Sequence, residues 1–291
     1  MITYADSENA ANIAFLGPAG TYCDEAARRF AKRMGATDAT LLPCPSFGRV
    51  FDAVEHGRVE YGVVALENSI EGPVNATLDS FAERNESAIL GEEIVDIHHC
   101  LVMNAAARPE DVKLIASHPQ ALAQCRKFLE ATLPGVPIRT AASTAGAARM
   151  AADDAAVAAI ANARAAEITG TVVYRRGIED HPGDQTNFAL IARRGHSAVF
   201  TGEGPMKTSL ALYLRGDRPG ALQMILSEFA YAGINLTKIQ SRPTKRRLGE
   251  YMFFIDIDGS LDDEDVQVAL DCLRLKLRAV KILGCYPKAA N

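Results

Sequence analysis

The chain has 291 residues, 48% of them hydrophobic and 23% charged, with a formal net charge of −5. This length suits two globular domains with a sizeable buried core. An acidic chain without a basic stripe argues against a nucleic-acid partner, and no apolar run approaches the ~20 residues that cross a bilayer. Residues 1–12 are polar and lack a signal-peptide pattern, and the six cysteines lack CxxC spacing. We therefore expect a cytoplasmic protein with reduced thiols and no membrane contact.

The first predicted elements are a strand over Ile13–Leu16 and a helix over Tyr22–Arg33, joined by a glycine-rich turn. Thr21, with Asp24 three residues on, matches a capping box at the start of this helix. A strand, a glycine-rich loop and a helix start can bind an anion, although a structural tight turn explains the pattern equally well. No Gly-Lys-Ser/Thr follows, which excludes a P-loop.

Tyr61–Leu66 is the clearest buried strand of the sequence, and it runs directly into Glu67, Asn68 and Ser69. Ligands of α/β sheets bind at the carboxyl ends of the strands. Loop capping is the alternative interpretation of these polar residues. We favour a functional interpretation because a carboxylate, an amide and a hydroxyl are adjacent in the sequence.

Three more short strands are predicted, at 113–116, 138–141 and 157–160, each followed by a helix pattern. Ser117 is the expected cap of the first of these helices, with Gln120 as its box partner and Gln124 one turn further on the same face. The alternation of strands and helices predicts an α/β domain. The strand Ala189–Ala192 is expected to return to the first half of this domain, giving two lobes with a cleft between them.

His98, His99 and Cys100 are adjacent in a strand-like segment. Because neighbours on a strand face opposite sides, we predict a satisfied structural cluster here rather than a metal site.

Near Gly202–Lys207 the pattern changes to strand-helix-strand-strand-helix-strand. Leu222, Ile225, Leu226 and Phe229 form one apolar stripe on the first helix of this module, and Gly233 follows that helix. The remaining expected features are strands over Thr208–Leu214, Leu236–Arg242, Glu250–Asp258 and Val280–Tyr286, and a second helix capped by Asp262.

Together these segments resemble the prephenate dehydratase family in content and order. The motifs of the first two thirds are Gly17-Pro18-Ala19-Gly20-Thr21, Glu67-Asn68-Ser69, Ser117-His118-Pro119-Gln120 with Gln124, Ser143-Thr144-Ala145 and Thr186-Asn187-Phe188. The tail, with Gly220-Ala221-Leu222 and Gln240-Ser241-Arg242-Pro243, looks like the regulatory ACT domain of the same enzymes. The resemblance covers residues 12–287.

The resemblance implies a two-lobed α/β catalytic domain like a type II periplasmic binding protein over residues 12–200. An α+β ACT domain with the βαββαβ, ferredoxin-like fold is expected over residues 205–291. The implied reaction is the conversion of prephenate to phenylpyruvate, water and carbon dioxide in phenylalanine biosynthesis. It needs no metal or organic cofactor. L-phenylalanine is the implied effector, and the ACT domains are expected to form a homodimer or homotetramer.

The family pattern assigns roles to residues of this sequence. The implied catalytic residues are Thr186, Glu67, Asn68, Ser117 and Gln124. The implied substrate-binding residues are Gly20, Thr21, Ser69, Gln120, Ser143, Thr144, Asn187 and Phe188. The residues expected to contact phenylalanine are Gly220, Ala221, Leu222, Asn235, Leu236, Gln240, Ser241 and Arg242.

The sequence departs from the family at three informative positions. Asn187 replaces the usual arginine and loses its charge and bidentate fork, which a substrate carboxylate could use. Asp184 stands where asparagine is common, and Gln240 replaces a glutamate of the regulatory motif. Three alternatives stay open: an arogenate dehydratase, a prephenate decarboxylase relative, and a non-catalytic sensor of an aromatic metabolite.

Overall fold

The computed structural model describes residues 11–289 except 37, 198, 201–203, 217, 246 and 248. Most of the N-terminal stretch 1–12 and the predicted start of the module at Gly202 lie outside the described residues. Within them, no helix is long and apolar enough to span a membrane. The six cysteines are all free.

The first two thirds of the chain fold into two lobes. The first lobe contains β1 (Asn12–Leu16), α1 (Tyr22–Arg33), β2 (Thr40–Cys44), α2 (Phe47–Glu55), β3 (Tyr61–Asn68), β4 (Gly72–Pro73), α3 (Asn75–Glu83) and β5 (Ser87–Asp96). The second contains β6 (Cys100–Met103), a 3-10 turn (Pro109–Asp111), β7 (Leu114–Ser117), α4 (Pro119–Gln124), α5 (Arg126–Thr132), β8 (Ile138–Thr140), α6 (Thr144–Asp153), β9 (Val157–Ala161), α7 (Ala163–Thr169) and β10 (Val172–Arg176). The chain then returns to the first lobe as β11 (Gln185–Arg193).

Both lobes have the same strand order. The first runs β2-β1-β3-β11-β5 and the second β8-β7-β9-β6-β10. In each lobe one strand, β11 or β6, is antiparallel to its neighbours. That strand is the one that enters from the other lobe, so the chain crosses between the lobes twice. The predicted return of the segment around Ala189–Ala192 and the two-lobed fold class are confirmed.

The helix starts and buried strands follow from the local sequence. α1 begins after Thr21, whose hydroxyl accepts a hydrogen bond from the Asp24 amide at 3.3 Å, as the capping box predicts. The side chains of Val63 and Val64 on β3 are both buried because helices cover both faces of the sheet.

Two predicted caps are wrong. Ser117 ends strand β7 and donates its hydroxyl proton to the Ile160 carbonyl of β9, so it does not cap α4. The N-cap of α4 is His118, whose ring accepts from the Gln120 amide. Helix α9 begins after Asp263 rather than Asp262.

The C-terminal module has the predicted strand and helix order. Its elements are β12 (Met206–Tyr213), α8 (Ala221–Tyr231), β13 (Leu236–Pro243), β14 (Tyr251–Asp258), α9 (Glu264–Lys276) and β15 (Ala279–Pro287). The strands form an antiparallel sheet in the order β13-β14-β12-β15, and both helices pack on one face of it. Gly233 has φ +68° and follows α8 as predicted.

The module continues the sheet of the first lobe, because β15 lies beside β5 with Gly284 opposite Ile89. A Cβ atom at position 284 would lie 2.3 Å from the Ile89 carbonyl oxygen, so this close approach requires glycine. Ion pairs also cross this boundary, including Lys207 with Glu92 at 2.8 Å. The sheet of the C-terminal module and the first lobe are thus joined by backbone pairing and by charged side chains.

Candidate active site

A cleft of about 120 Å³ lies between the lobes. Its lining residues are Tyr22, Asn68, Ile97, His99, His118, Gln120, Ala121, Gln124, Thr144 and Thr186. Both lobes contribute, because β3, β11 and α1 belong to the first and α4 and α6 to the second. Among the described residues that line the cleft, none is a lysine or an arginine. Among these lining residues, the sources of positive charge are imidazoles and helix N-termini.

Asn68 fixes the hydroxyl of Thr186. Its Oδ1 accepts from the amides of Ile70 and Glu71, at 3.1 and 2.9 Å, so its Nδ2 must be the end that faces the cleft. Nδ2 donates to Thr186 Oγ1 at 3.0 Å. Because the threonine oxygen accepts this hydrogen bond, its own proton is available to a bound molecule.

Asp184 lies behind these two residues and is almost fully buried. Its Oδ1 accepts from Asn68 Nδ2 at 2.7 Å and from Ser69 Oγ at 2.9 Å. Its Oδ2 accepts from Gln124 Nε2 at 3.2 Å. Asp184 therefore connects side chains from both lobes, and three donors stabilise its buried carboxylate.

The network continues to His99. Gln124 uses its amide nitrogen on Asp184, so its Oε1 is the atom that faces His99 Nε2 at 2.8 Å. An amide oxygen only accepts, which means that His99 Nε2 carries a proton. The other ring nitrogen, Nδ1, is buried and has no hydrogen-bond partner among the described residues.

Burial lowers the pKa of His99 below its usual value of 6.5. The hydrogen bond to Gln124 and the nearby carboxylates of Glu179 and Asp184 oppose this shift but do not cancel it. The ring is therefore neutral at pH 7, with the proton on Nε2 and an unused lone pair on Nδ1.

The structure brings part of the predicted site together. Five predicted residues line the cleft: Asn68, Gln120, Gln124, Thr144 and Thr186. Ser69 lies one layer behind, on Asp184. Ser143 caps α6 by accepting from the Gly146 amide.

Several other predicted residues lie outside the cleft. Ser117 is fully buried against β9, and Phe188 is in the core of the first lobe. The Thr21 hydroxyl donates to the Leu16 and Pro18 carbonyls, and the Gly20 amide donates to the Asp24 carboxylate. Ser117 was predicted to be catalytic and Gly20, Thr21 and Phe188 to bind substrate, but none of the four is among the residues that line the cleft.

Glu67 and Asn187 are on the opposite side of their strands from Asn68 and Thr186. Residues 67 and 187 face each other across β3 and β11, and successive side chains of a strand alternate between faces. Asn187 Nδ2 donates to Glu92 Oε2 at 3.0 Å, and Glu67 pairs with Lys238 at 2.7 Å. Both thus contact the domain boundary, and neither is among the residues that line the cleft, although Glu67 was predicted to be catalytic and Asn187 to bind substrate.

Sequence reasoning did not assign His99, His118 or Tyr22 to the site, and it noted Asp184 only as a departure from the family. The interpretation of His98–Cys100 as a satisfied cluster is wrong, because His99 lines the cleft and its Nδ1 is buried without a partner among the described residues. No local signal in the sequence reveals this atom, because the residues around His99 come from distant parts of the chain. Gln124 belongs to α4, and Glu179 lies in the segment before β11. Tyr22 is the first residue of α1, so the predicted start of that helix could have identified it as a candidate site residue.

The C-terminal module carries a separate groove of about 500 Å³ beside the start of α8. Gly220, Ala221 and Leu222 line it together with Tyr251 and Phe253. The other residues expected to contact phenylalanine are not among its lining residues: Asn235, Leu236, Gln240, Ser241 and Arg242. Arg242 instead binds Asp79 of α3 at 2.6 Å. Among the described residues, no group of three or more His, Cys, Asp or Glu side chains is placed to hold a metal ion.

Two lobes around a polar cleft, followed by a βαββαβ module with its own groove, define a two-domain α/β enzyme. A family model described as Prephenate dehydratase matches residues 13–196, and one described as ACT domain matches residues 208–270. The chain belongs to the prephenate dehydratase family, whose members are lyases.

The similar proteins include two that are named prephenate dehydratase and one that is named an acylase. The bifunctional chorismate mutase/prephenate dehydratase of Aquifex aeolicus is 40% identical over 97% of this chain and 75% of its own. A crystal structure of prephenate dehydratase from Arthrobacter aurescens in complex with L-Phe is 38% identical, with a TM-score of 0.86, and covers 95% of this chain and 90% of its own. A structure of a quorum quenching acylase is 31% identical, with a TM-score of 0.81, over 95% and 98% of the two chains.

Proposed function

We propose that the chain converts prephenate to phenylpyruvate, water and carbon dioxide as a step of phenylalanine biosynthesis. The observation that carries this proposal is the direction of the hydrogen bond at Thr186. Its Oγ1 accepts from Asn68 Nδ2 at 3.0 Å, so its own proton can be donated to the oxygen that leaves the substrate. Family membership supports the same reaction.

In this reaction the bond between the ring and its carboxylate breaks, and the released electron pair enters the ring. The bond from the ring to the hydroxyl oxygen breaks as the ring becomes aromatic. The departing oxygen takes up one proton, drawn overall from solvent, and leaves as water. Thr186 donates a hydrogen bond to this oxygen as negative charge develops on it. A positioned donor of this kind contributes ~10²–10⁴-fold in rate.

The substrate carboxylates must be held without lysine or arginine from the cleft lining. Tyr22 and Thr144 are the first residues of α1 and α6, so the positive ends of two helices face the cleft. A helix N-terminus stabilises an anion by its dipole and by its unpaired amides. Gln120 adds a neutral donor from the second lobe.

We further propose that L-phenylalanine regulates the enzyme through the C-terminal module. The groove at Gly220–Leu222 suits a small amphipathic ligand, and the Arthrobacter relative is in complex with L-Phe. We expect two modules to complete each site between them, in a homodimer or homotetramer. The proposed domains are residues 12–200 and 205–291.

Turnover of prephenate by the purified protein tests the proposal, with phenylpyruvate followed by its absorbance in alkali. Thr186→Val removes the hydroxyl at nearly constant volume, and Thr186→Ser keeps it as a matched control. We expect a loss of ~10²-fold or more in kcat for the valine variant and a much smaller loss for the serine variant. Equal activity of the valine variant and the wild type would refute the role of Thr186. Faster turnover of arogenate than of prephenate would reassign the substrate.

Acyl hydrolysis, suggested by the acylase relative, is not favoured by this geometry. A nucleophilic threonine needs a base within hydrogen-bond reach to take its proton. The partner of Thr186 Oγ1 is an amide that donates, so it cannot act as that base.

A further inference from the structure

We propose that His99 binds a carboxylate of the substrate as an imidazolium and takes up the required proton when the substrate enters the cleft. This inference rests on the proposed function, because it needs a dianionic substrate. It assigns a substrate-binding role to a residue outside the family motifs that identified the site.

The geometry singles out one atom. His99 Nε2 is committed to Gln124 Oε1 at 2.8 Å, whereas Nδ1 is buried with no partner among the described residues. Native proteins satisfy nearly all buried polar atoms, so an unpartnered nitrogen on a residue that lines the cleft points to a group that the ligand completes. A lone pair on Nδ1 would repel a carboxylate oxygen, but a proton on Nδ1 would donate to it.

The charge of the cleft leads to the same residue. Prephenate carries two negative charges, and the described lining residues include no lysine or arginine. Two of them, His99 and His118, can become cations. His118 Nδ1 already accepts a hydrogen bond from the Gln120 amide, which a proton on that nitrogen would break. His99 can gain a proton without losing any bond that it makes.

The surroundings of His99 favour this gain. Glu179 accepts from the His99 amide at 3.0 Å, and both Glu179 and Asp184 act on the ring with negative charge. His98 opposes protonation, and the ring of Tyr22 lies edge-on at 6.2 Å. In the free protein burial dominates and lowers the pKa of His99. A bound dianion adds negative charge at the ring and raises that pKa, so binding takes up a proton.

The test is the number of protons taken up when prephenate binds. Calorimetric titrations in two buffers with different ionisation enthalpies give this number. The background is Thr186→Val, which stops turnover during the measurement. At pH 8 we expect about one proton per site. Adding His99→Gln keeps a donor for Gln124 but cannot be protonated, so the uptake should vanish and affinity should fall about 10- to 100-fold.

His98→Gln is the matched control, because this neighbouring imidazole is largely exposed and lies outside the cleft lining. It should leave the proton uptake intact. Nitrogen NMR of the histidine rings in the Thr186→Val protein gives a second readout that does not depend on the folding of the His99 variant. Protonation of His99 Nδ1 on adding prephenate supports the proposal.

Prephenate turnover by the wild type separates the two proposals. If the wild type forms phenylpyruvate but binding takes up no proton, or takes up the same number with His99→Gln, only the role of His99 is overturned. If the wild type neither binds nor converts prephenate, both proposals fall.

Discussion

Asn68→Asp is the most informative substitution in the cleft, because it changes one atom of a fully defined hydrogen-bond network. The Nδ2 group becomes a carboxylate oxygen of the same size. This oxygen would face Asp184 Oδ1 and Thr186 Oγ1, which Nδ2 contacts at 2.7 and 3.0 Å in the native protein. The donor that orients the Thr186 hydroxyl is replaced by an acceptor.

Two effects follow, and the structure sets the size of each. Loss of the hydrogen bond to the Asp184 carboxylate costs about 1.5–3 kcal/mol, and two carboxylates at this distance repel unless they share a proton. We expect the free energy of unfolding to fall by about 3 kcal/mol at pH 7, and by less in acid. The Thr186 proton would turn to the new carboxylate, so kcat should fall ~10²-fold or more.

Urea denaturation and steady-state kinetics on the same preparations test both effects. Ser69→Ala is the matched control, because it removes a second donor to Asp184 at 2.9 Å but leaves the contact between Asn68 and Thr186. It should lose about 1–2 kcal/mol of stability and keep kcat within about tenfold. If both variants lose the same activity, the orientation of Thr186 by Asn68 is not what matters, and the reasoning fails.

Three further outcomes are expected. Lys207→Met leaves the buried Glu92 without its cation, so the free energy of unfolding in chemical denaturation should fall by about 3–5 kcal/mol. Adding Glu92→Gln should restore part of this loss. Asn187→Arg restores the residue usual in the family but points to the domain boundary, so KM for prephenate should change by less than about threefold; a larger fall in KM would contradict the assigned position. Burial lowers the pKa of His99, so the unfolded chain binds the proton more tightly than the folded one. The free energy of unfolding should therefore decline as the pH falls below about 6.5. His99→Gln should flatten this decline, which urea midpoints from pH 5 to 7.5 would measure.

Residue pairs close in sequence gave the most accurate predictions. The cap Thr21 and the helix Tyr22–Arg33 depend on contacts within one or two turns, which spacing alone reveals. The stripe on α8 was only half right, because Ile225 and Phe229 are buried but Leu222 and Leu226 are exposed. The polar residues after Tyr61–Leu66 were also predicted at a strand end. One of them, Asn68, lies in the cleft, whereas Glu67 faces the other way.

The period and caps of the sequence by themselves predicted the α/β domain and the βαββαβ module, because these patterns are local to each element. The resemblance to the family added the two-lobed fold and the hydroxyl of Thr186. Only the tertiary structure decided that Asp184 joins Asn68 to Gln124 and that His99, which lines the cleft, has an unpartnered buried nitrogen. It also decided that Asn187 serves the domain boundary. The physical reason is that these hydrogen-bond partners lie 25 to 118 positions apart in the sequence, so they meet only in the folded chain.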